Sequence, residues 1–513
     1  MLQRYAEPAV GSGTNAPEST SLSVLVPVYN EQYLVETSLR RLLVLAESAL
    51  LTRVQIIVVD DCSRDQTPQV LQSFQQHLPD DRTGKVRWLF LRHERNQGKG
   101  AAIRTALEHA ECELTVIHDA DLEYHPRDLL QMVPLFLTED ADAVFGSRFM
   151  AGGFKRALFF RHSIGNHILT FLCDLASDLN LTDIETCYKM VRTELLRSIP
   201  LVSGDFRIEP EVAIKLAKRG ARVFEVPISY SGRTYQEGKK INWTDGVKAL
   251  LAILQFRLSD NICKRDQYGS EVVPRLSRAP KYTRWQADLL RPHVGERVLE
   301  LGAGIGTLTL NLVPRKAYWA CDANPLWVRE LQKLSHTRPY LHGACVDPAN
   351  PATFPAGVKF DTVILQNVAE HVEDDVAAFR TARSVLDDNG RVLILVPNAP
   401  GLYGSLDKII GHQRRYTRRQ LTDAAAQAGL ELVKFVPLNR IGAPVWWMNS
   451  RILHRQRFGL LQIKVLNALV PLLRHVDRFL PFPPMTLVGV FANAAKVPAD
   501  TRSTTESQAA AHV

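Results

Sequence analysis

The stretch Val58–Thr67, VVDDCSRDQT, is an apolar run that ends in two adjacent carboxylates and then a polar turn. A strand buried on both faces of a parallel sheet reads as a continuous Val/Ile/Leu run, because helices cover both of its sides. The same form recurs on either side of it, at SLSVLVPV (21–28), VQIIVVD (54–60), VRWLFL (86–91), LTVIHD (114–119) and DAVFGS (142–147), with amphipathic helical patterns between. The first half of the chain is therefore expected to be α/β, an open, mostly parallel, doubly wound sheet.

The pattern fails at CKRDQYGSEVVPRLSRAPKY (263–282), which is polar, charged and turn-prone, and a linker is expected over 263–283. A second α/β series follows at ERVLELGAG (296–304), AYWACDANP (317–325), FDTVILQN (360–367) and RVLILVPN (391–398). The expected organisation is a tail at 1–20, a first domain at 21–262, the linker, a second domain at 284–435, a helical extension at 436–494 and a tail at 495–513. In the extension, Trp, Leu and Ile interleave with Arg, Lys and His. Such amphipathic helices suit either packing against the second domain or a membrane interface.

Composition narrows the class. At 513 residues, 23% charged and 46% hydrophobic, the chain supports several cores, and no run of 18 or more uncharged apolar residues spans a bilayer. The first residues lack an apolar signal core, so export is not expected. Seven scattered cysteines with no CxxC pair fit a reducing cytosol. The formal charge of +8 is not gathered into a basic block with interleaved aromatics, which argues against nucleic acid and for anionic small molecules or lipid headgroups.

In an open parallel sheet, ligands sit at the carboxyl ends of the strands. VPVYNE (26–31) places Pro27, Tyr29 and Glu31 at one such end, VVDD places Asp60 and Asp61 at a second, and HDADLE (118–123) places Asp119, Ala120, Asp121 and Glu123 at a third. Closely spaced carboxylates are hard oxygen ligands for Mg2+ or Mn2+, and such a cation neutralises charge developing on a departing diphosphate. Asp61 can accept from a base N–H, with Tyr29 over the base and Glu31 reaching the ribose. Lys99 and Arg104 in QGKGAAIR stand at a helix start that favours phosphate, with Gly98 and Gly100 allowing close backbone approach; solvated cations on a glycine turn are the equal alternative for Arg104. Asp205, Glu209 and Glu211 in DFRIEPEV are candidate bases should the acceptor be a hydroxyl.

These motifs, with VFGSRF, TCYKMVR and PISYSGRTYQEGKKINWTDG, resemble the inverting family 2 glycosyltransferases of the dolichyl-phosphate mannose or glucose synthase type over roughly residues 22 to 258. The resemblance implies a GT-A-like fold and a nucleotide-sugar donor of the GDP-mannose or UDP-glucose type. By it Pro27, Tyr29, Glu31, Asp61 and Ala120 bind the donor, Asp119, Asp121 and Glu123 hold the metal, and Arg148, Arg233 and Lys239 bind phosphates. Asp119, Asp121 and Arg233 would carry catalysis. Position 123 is Glu where mannose synthases often carry Gln. The acceptor implied is a polyprenyl phosphate, already a nucleophile; a helix of the 436–494 segment could hold the enzyme at the inner face of a membrane, where such an acceptor lies.

In the second half, VLELGAGIGTLTL sets Glu300, Gly302, Gly304 and Gly306 between a strand and a helix, where the backbone can pass close to a ligand. Asp322 closes the next strand at the spacing of a ribose-binding acid, followed by Asp347 and Asn367 at further strand ends. Nicotinamide-binding domains share the first two features. With LQNVAEHVEDD and VLDDNGRVLILVPN added, the set resembles class I S-adenosylmethionine-dependent methyltransferases over roughly 284 to 435. That implies Glu300, Gly302, Gly304 and Gly306 around the methionine part, Asp322 on the ribose, Asp347 near the adenine and Asn367 on the reaction face. His371 is a candidate base or a packing residue, and GHQRRYTRRQL (411–421) either a lid gripping an anion or a solvated helix start. A two-enzyme fusion serving one glycan or glycolipid pathway is the expectation, against a scaffold with an inert second half or a nicotinamide-dependent second half.

Overall fold

The structure is a computed structural model that describes residues 19–152, 156, 160–233, 243–259, 261, 262, 264, 277–455 and 460–494. The two expected tails, most of the expected linker and Lys239 lie outside the described residues, except Ser19 and Thr20. Contacts divide the chain into two units, residues 1–264 and 265–513.

The first unit holds seven strands: β1 (Thr20–Val28), β2 (Leu51–Asp60), β3 (Val86–Arg92), β4 (Leu114–Ile117), β5 (Ala143–Ser147), β6 (Lys189–Arg192) and β7 (Val223–Pro227). They form one sheet in the order β3-β2-β1-β4-β6-β5-β7, in which β6 runs antiparallel to both β4 and β5 and the other pairings are parallel. The continuous apolar runs are explained by burial on both faces. Val24, Val26, Ile56 and Val58 enter one core, while their neighbours Leu25, Ile57 and Val59 enter the core on the opposite side. The order reverses between β1 and β4, so the carboxyl ends of these two strands border the crevice where such sheets bind ligands.

The second unit contains β8 (Arg297–Leu301), β9 (Ala317–Asp322), β10 (Leu341–Cys345), β11 (Phe360–Gln366), β12 (Leu386–Pro397), β13 (Leu430–Leu438) and β14 (Thr486–Asn493). Their order is β10-β9-β8-β11-β12-β14-β13, with β14 antiparallel to both neighbours. Here the reversal falls between β8 and β11. Leu299 and Leu301 face one core and Val298 the other.

Two expected boundaries are corrected. The second domain does not stop at 435: that position lies inside β13, and the segment expected as a helical extension supplies β14, which is inserted between β12 and β13. Its TLVGVFAN is strand-like, but 45 residues of helical pattern precede it, and only the sheet shows where it pairs. The domain also begins earlier than 284. Helix Pro280–Leu290 packs against helix Leu460–Val476 through Trp285 and Val470, with Leu438, and Asn467 Oδ1 accepts from the backbone N–H of Lys281 at 2.9 Å. Packing against the second unit is thus what part of the extension does. Among the described residues, no helix is long and apolar enough to cross a membrane.

Candidate functional site

The opening stretch is used in two ways. Its turn closes onto the loop after β1: Asn30 N–H donates to Ser63 Oγ at 2.9 Å, Glu31 N–H to Thr67 Oγ1 at 2.9 Å, and Arg64 N–H to Asn30 Oδ1 at 2.9 Å. This fixes Glu31 at the crevice, beside half-buried Pro27 and Tyr29. The paired acids turn elsewhere. Asp61 is 2% exposed, and its carboxylate accepts from Gln97 N–H at 2.9 Å, Gly98 N–H at 2.7 Å and His93 Nδ1 at 2.7 Å. It anchors the loop that enters helix Lys99–Glu108. Of the pair, Asp60 keeps an oxygen without a hydrogen bond, Oδ2, which has Arg92 Nε 3.1 Å away as an ion partner.

At the end of β4, Asp121 and Glu123 meet Glu31 around one cation, with Asp119 beside them. The Arg233 guanidinium lies 3.0 Å from Asp121, 3.1 Å from Glu123 and 3.6 Å from Glu31. Burial, then the negative charges of Asp119 and Glu123, push the Asp121 carboxyl up to about 7 against the pull of Arg233. Asp119 is paired with Lys99, 2.9 Å away. Lys99 also binds Glu209 at 3.0 Å, and Glu209 binds buried Lys189 at 2.6 Å. Behind them His118 sits between Ser38 and Tyr188 at 3.2 and 3.1 Å, and burial lowers it to about 4, a neutral imidazole.

In the second unit the predicted residues line consecutive strand ends. Gly302, Gly304 and Gly306, all at positive φ, follow β8. At Gly302 a Cβ would stand 2.5 Å from Gln366 O, so β11 leaves room for glycine alone. Gly304 N–H donates to Asp322 Oδ2 at 2.9 Å, and Asn324 N–H to Oδ1 at 2.9 Å. Asp347 follows β10 and Asn367 follows β11, both exposed. Glu300 is fully buried beneath the glycine loop. Its Oε2 accepts from Thr309 at 2.6 Å and Tyr318 at 2.8 Å, its Oε1 has no hydrogen-bond partner, and burial pushes it to about 7.

Residues 23–199 match the glycosyl transferase family 2 model, and residues 271–434 match a methyltransferase domain model. The chain joins a family 2 glycosyltransferase domain to a methyltransferase domain. The first is similar to an uncharacterized protein of Methanocaldococcus jannaschii, 26% identical over 48% of this chain and 96% of the relative. It is also similar to the glycosyltransferase AglJ of Haloferax volcanii, 27% identical over 42% of this chain and 65% of that one. A dolichol-phosphate mannosyltransferase of Pyrococcus furiosus is 27% identical over 42% of this chain, which spans 58% of that protein. Among solved structures, glucosyl-3-phosphoglycerate synthase of Mycobacterium tuberculosis is similar at 19% identity over 50% of this chain and 86% of that one, with a TM-score of 0.36.

In the glycosyltransferase domain several expected roles change. Arg148 makes a two-pronged ion pair with fully buried Asp183, at 2.6 and 2.7 Å, which engages its Nε and Nη2. Glu123 is taken by Arg233 and by Tyr230 OH at 2.9 Å. Among the described residues its oxygens do not join those of Asp119 and Asp121 in a compact three-ligand group. Two carboxylates with phosphate and water suffice for Mg2+ or Mn2+, and the excess of acid around Asp121 suits a cation, so these residues fit such a metal. The close approach that Gly98 and Gly100 permit is to the protein itself, since a Cβ at either would lie 2.3 Å from a carbonyl oxygen, of Gly204 and of Ser203 respectively. Lys99 faces the acids, and Arg104 caps the Ser203 carbonyl. Asp205 is paired with Arg207 and Glu211 with Lys215, which removes both as ready bases.

The chain Asp119–Lys99–Glu209–Lys189 was missed. Its signal was present, since a lysine inside the apolar strand YKMVR demands a buried anion.

In the methyltransferase domain, Arg415 of the basic segment is buried on Asp407 at 2.7 Å and stacks over Trp446. It is a structural tie, neither lid nor solvated. Arg414 donates to the Glu373 carbonyl at 2.8 Å.

Proposed function

We propose that the glycosyltransferase domain transfers a sugar from a nucleotide-sugar donor to a polyprenyl phosphate with inversion, and that the methyltransferase domain moves a methyl group from S-adenosylmethionine to a separate acceptor. The observation that carries the first half is the convergence of Glu31, Asp119, Asp121, Glu123 and Arg233 at the reversal point of the sheet, with Asp121 poised at about 7.

In this reading Asp119 and Asp121 hold Mg2+ or Mn2+, which when bound offsets charge on the departing diphosphate. Arg233 adds positive charge beside the phosphates, and Glu31 and Tyr29 border the nucleoside. The acceptor phosphate oxygen attacks the anomeric carbon from the face opposite the diphosphate. As the new C–O bond forms, the old one breaks and its electron pair leaves on the nucleoside diphosphate. A phosphate monoester is already anionic, so no side chain need take a proton. This agrees with Asp205, Glu209 and Glu211 all being engaged in ion pairs.

A lipid acceptor is favoured by the surface. Helix Phe160–Ser177 leaves Phe160, Ile164, Ile168, Phe171 and Leu175 exposed, and its neighbour Trp243–Leu258 leaves Val247, Leu251, Leu254 and Leu258 exposed. Steps of three and four residues put each set on one helix face. Paired apolar stripes of this kind suit peripheral contact with a bilayer, where a polyprenyl chain resides.

For the second half, the glycine loop and Asp322 cradle S-adenosylmethionine, the unbonded buried oxygen of Glu300 suits its cationic amino-acid end, and Asp347 and Asn367 border the adenine and the reaction face. The decisive variant for the transfer is Arg233→Ala, assayed with a short polyprenyl phosphate. Transfer should fall by orders of magnitude while the nucleoside diphosphate still binds. Full activity would refute the role of Arg233.

A further inference from the structure

Glu370 lies four residues beyond the end of β11, is fully buried, and has no hydrogen-bond partner on either carboxylate oxygen. Leaving both oxygens of one buried side chain unbonded is costly, and native interiors rarely tolerate it without a ligand. Its surroundings are rich in imidazole. His412 Nε2 is 3.8 Å from Glu370 Oε1, and the rings of His371 and His412 meet edge to face with centroids 4.9 Å apart. One donor atom from each of Glu370, His371 and His412 lies within 4.8 Å of the other two.

The two pieces of chain that bring these groups together are tied. Gln413 N–H donates to Glu370 O at 2.8 Å, and Gln413 Nε2 to His371 O at 2.9 Å. Tyr403 OH donates to His412 O at 2.8 Å. His412 Nδ1 lies 3.0 Å from Asp407 Oδ1. A carboxylate there holds the proton on Nδ1 and leaves the lone pair of Nε2 toward Glu370, the arrangement that orients metal-bound histidines.

We propose that Glu370, His371 and His412 form a binding site for one divalent transition-metal ion, with Asp407 orienting His412. Two imidazoles and a carboxylate suit Zn2+, Mn2+, Fe2+ or Co2+ better than the oxygen-seeking Mg2+ and Ca2+, which distinguishes this site from the acids of the glycosyltransferase domain. Three protein ligands leave a coordination position open. Since the cluster follows Asn367 at the carboxyl end of β11, that position would take an oxygen of the methyl acceptor; this clause rests on the methyltransferase reading. The rival account is a lone carboxylate balanced by Arg415, whose Nη2 also lacks a hydrogen-bond partner.

The test is a titration of chelator-treated full-length protein with Co2+, in excess Mg2+ to occupy oxygen-only sites. The expected result is a visible d–d band that saturates at one equivalent and disappears on adding Zn2+. Glu370→Gln should weaken Co2+ binding at least about tenfold, and so should His371→Ala, which alters an exposed side chain and keeps the test valid if the buried variant unfolds. Absence of the band, or wild-type Co2+ affinity in a folded Glu370→Gln and in His371→Ala, would overturn the site. S-adenosylmethionine titration of the same protein reports separately: metal binding without it would keep the site and refute only the acceptor clause.

Discussion

Asp121 stands near the midpoint of its ionisation because burial and two neighbouring acids oppose its charge. Its folded pKa of about 7 exceeds that of the unfolded chain, so the folded state holds a proton that the unfolded state has released. The stabilising contribution of that proton is complete below about pH 4 and is lost as the pH rises through about 7. Metal-free Asp121→Asn should therefore melt higher than wild type at pH 8 and by a clearly smaller margin at pH 5, while losing metal-dependent transfer. Identical differences at both pH values would contradict the assignment. Asp61 makes the opposite case. Its carboxylate accepts from two backbone N–H groups and His93, so Asp61→Asn should cost about 1–3 kcal/mol in denaturant unfolding, the penalty for unpaired buried groups. The acid cluster was legible because its members crowd the ends of recognisable strands. The use of Asp61 was not, since its partners lie 32 to 37 residues away and nothing in DDCS tells a ligand-facing acid from one turned back onto the protein.

Among elements, the strands were legible wherever burial on both faces made them continuously apolar. The direction of β6 and the insertion of β14 were not, because antiparallel pairing beside a parallel core is decided by connections and not by local pattern. The segment 436–494, where basic residues alternate with aromatics, was open to two readings, packing against the second domain or lying at a membrane interface. Part of that segment packs within the second unit, and the first unit presents its own apolar stripes on helices Phe160–Ser177 and Trp243–Leu258. These were overlooked because a helix with one apolar face is ordinarily a core helix. Replacing Phe171 and Leu254 together by Glu should abolish co-sedimentation with anionic phospholipid vesicles and leave the melting temperature within a few degrees, since both side chains are exposed. Undiminished vesicle binding would assign the membrane contact elsewhere.

At the scale of the molecule, each unit has its own sheet and its own pair of cores. The two activities should then fail independently. Asp322→Ala should weaken S-adenosylmethionine binding by about 1–3 kcal/mol in calorimetry, through ligand hydroxyls left unpaired, with glycosyl transfer unchanged. Tight nicotinamide dinucleotide binding and none of the methyl donor would reassign the second domain. The central claim, metal-dependent transfer to a lipid phosphate, is tested most directly by mass spectrometry of products formed from a panel of nucleotide sugars and a short polyprenyl phosphate, with Mg2+ or Mn2+ and with excess chelator. The account predicts a glycosyl polyprenyl monophosphate from one donor, formed with metal and lost with chelator. Transfer to soluble sugar hydroxyls in preference to the lipid phosphate, or turnover indifferent to chelator, would contradict it.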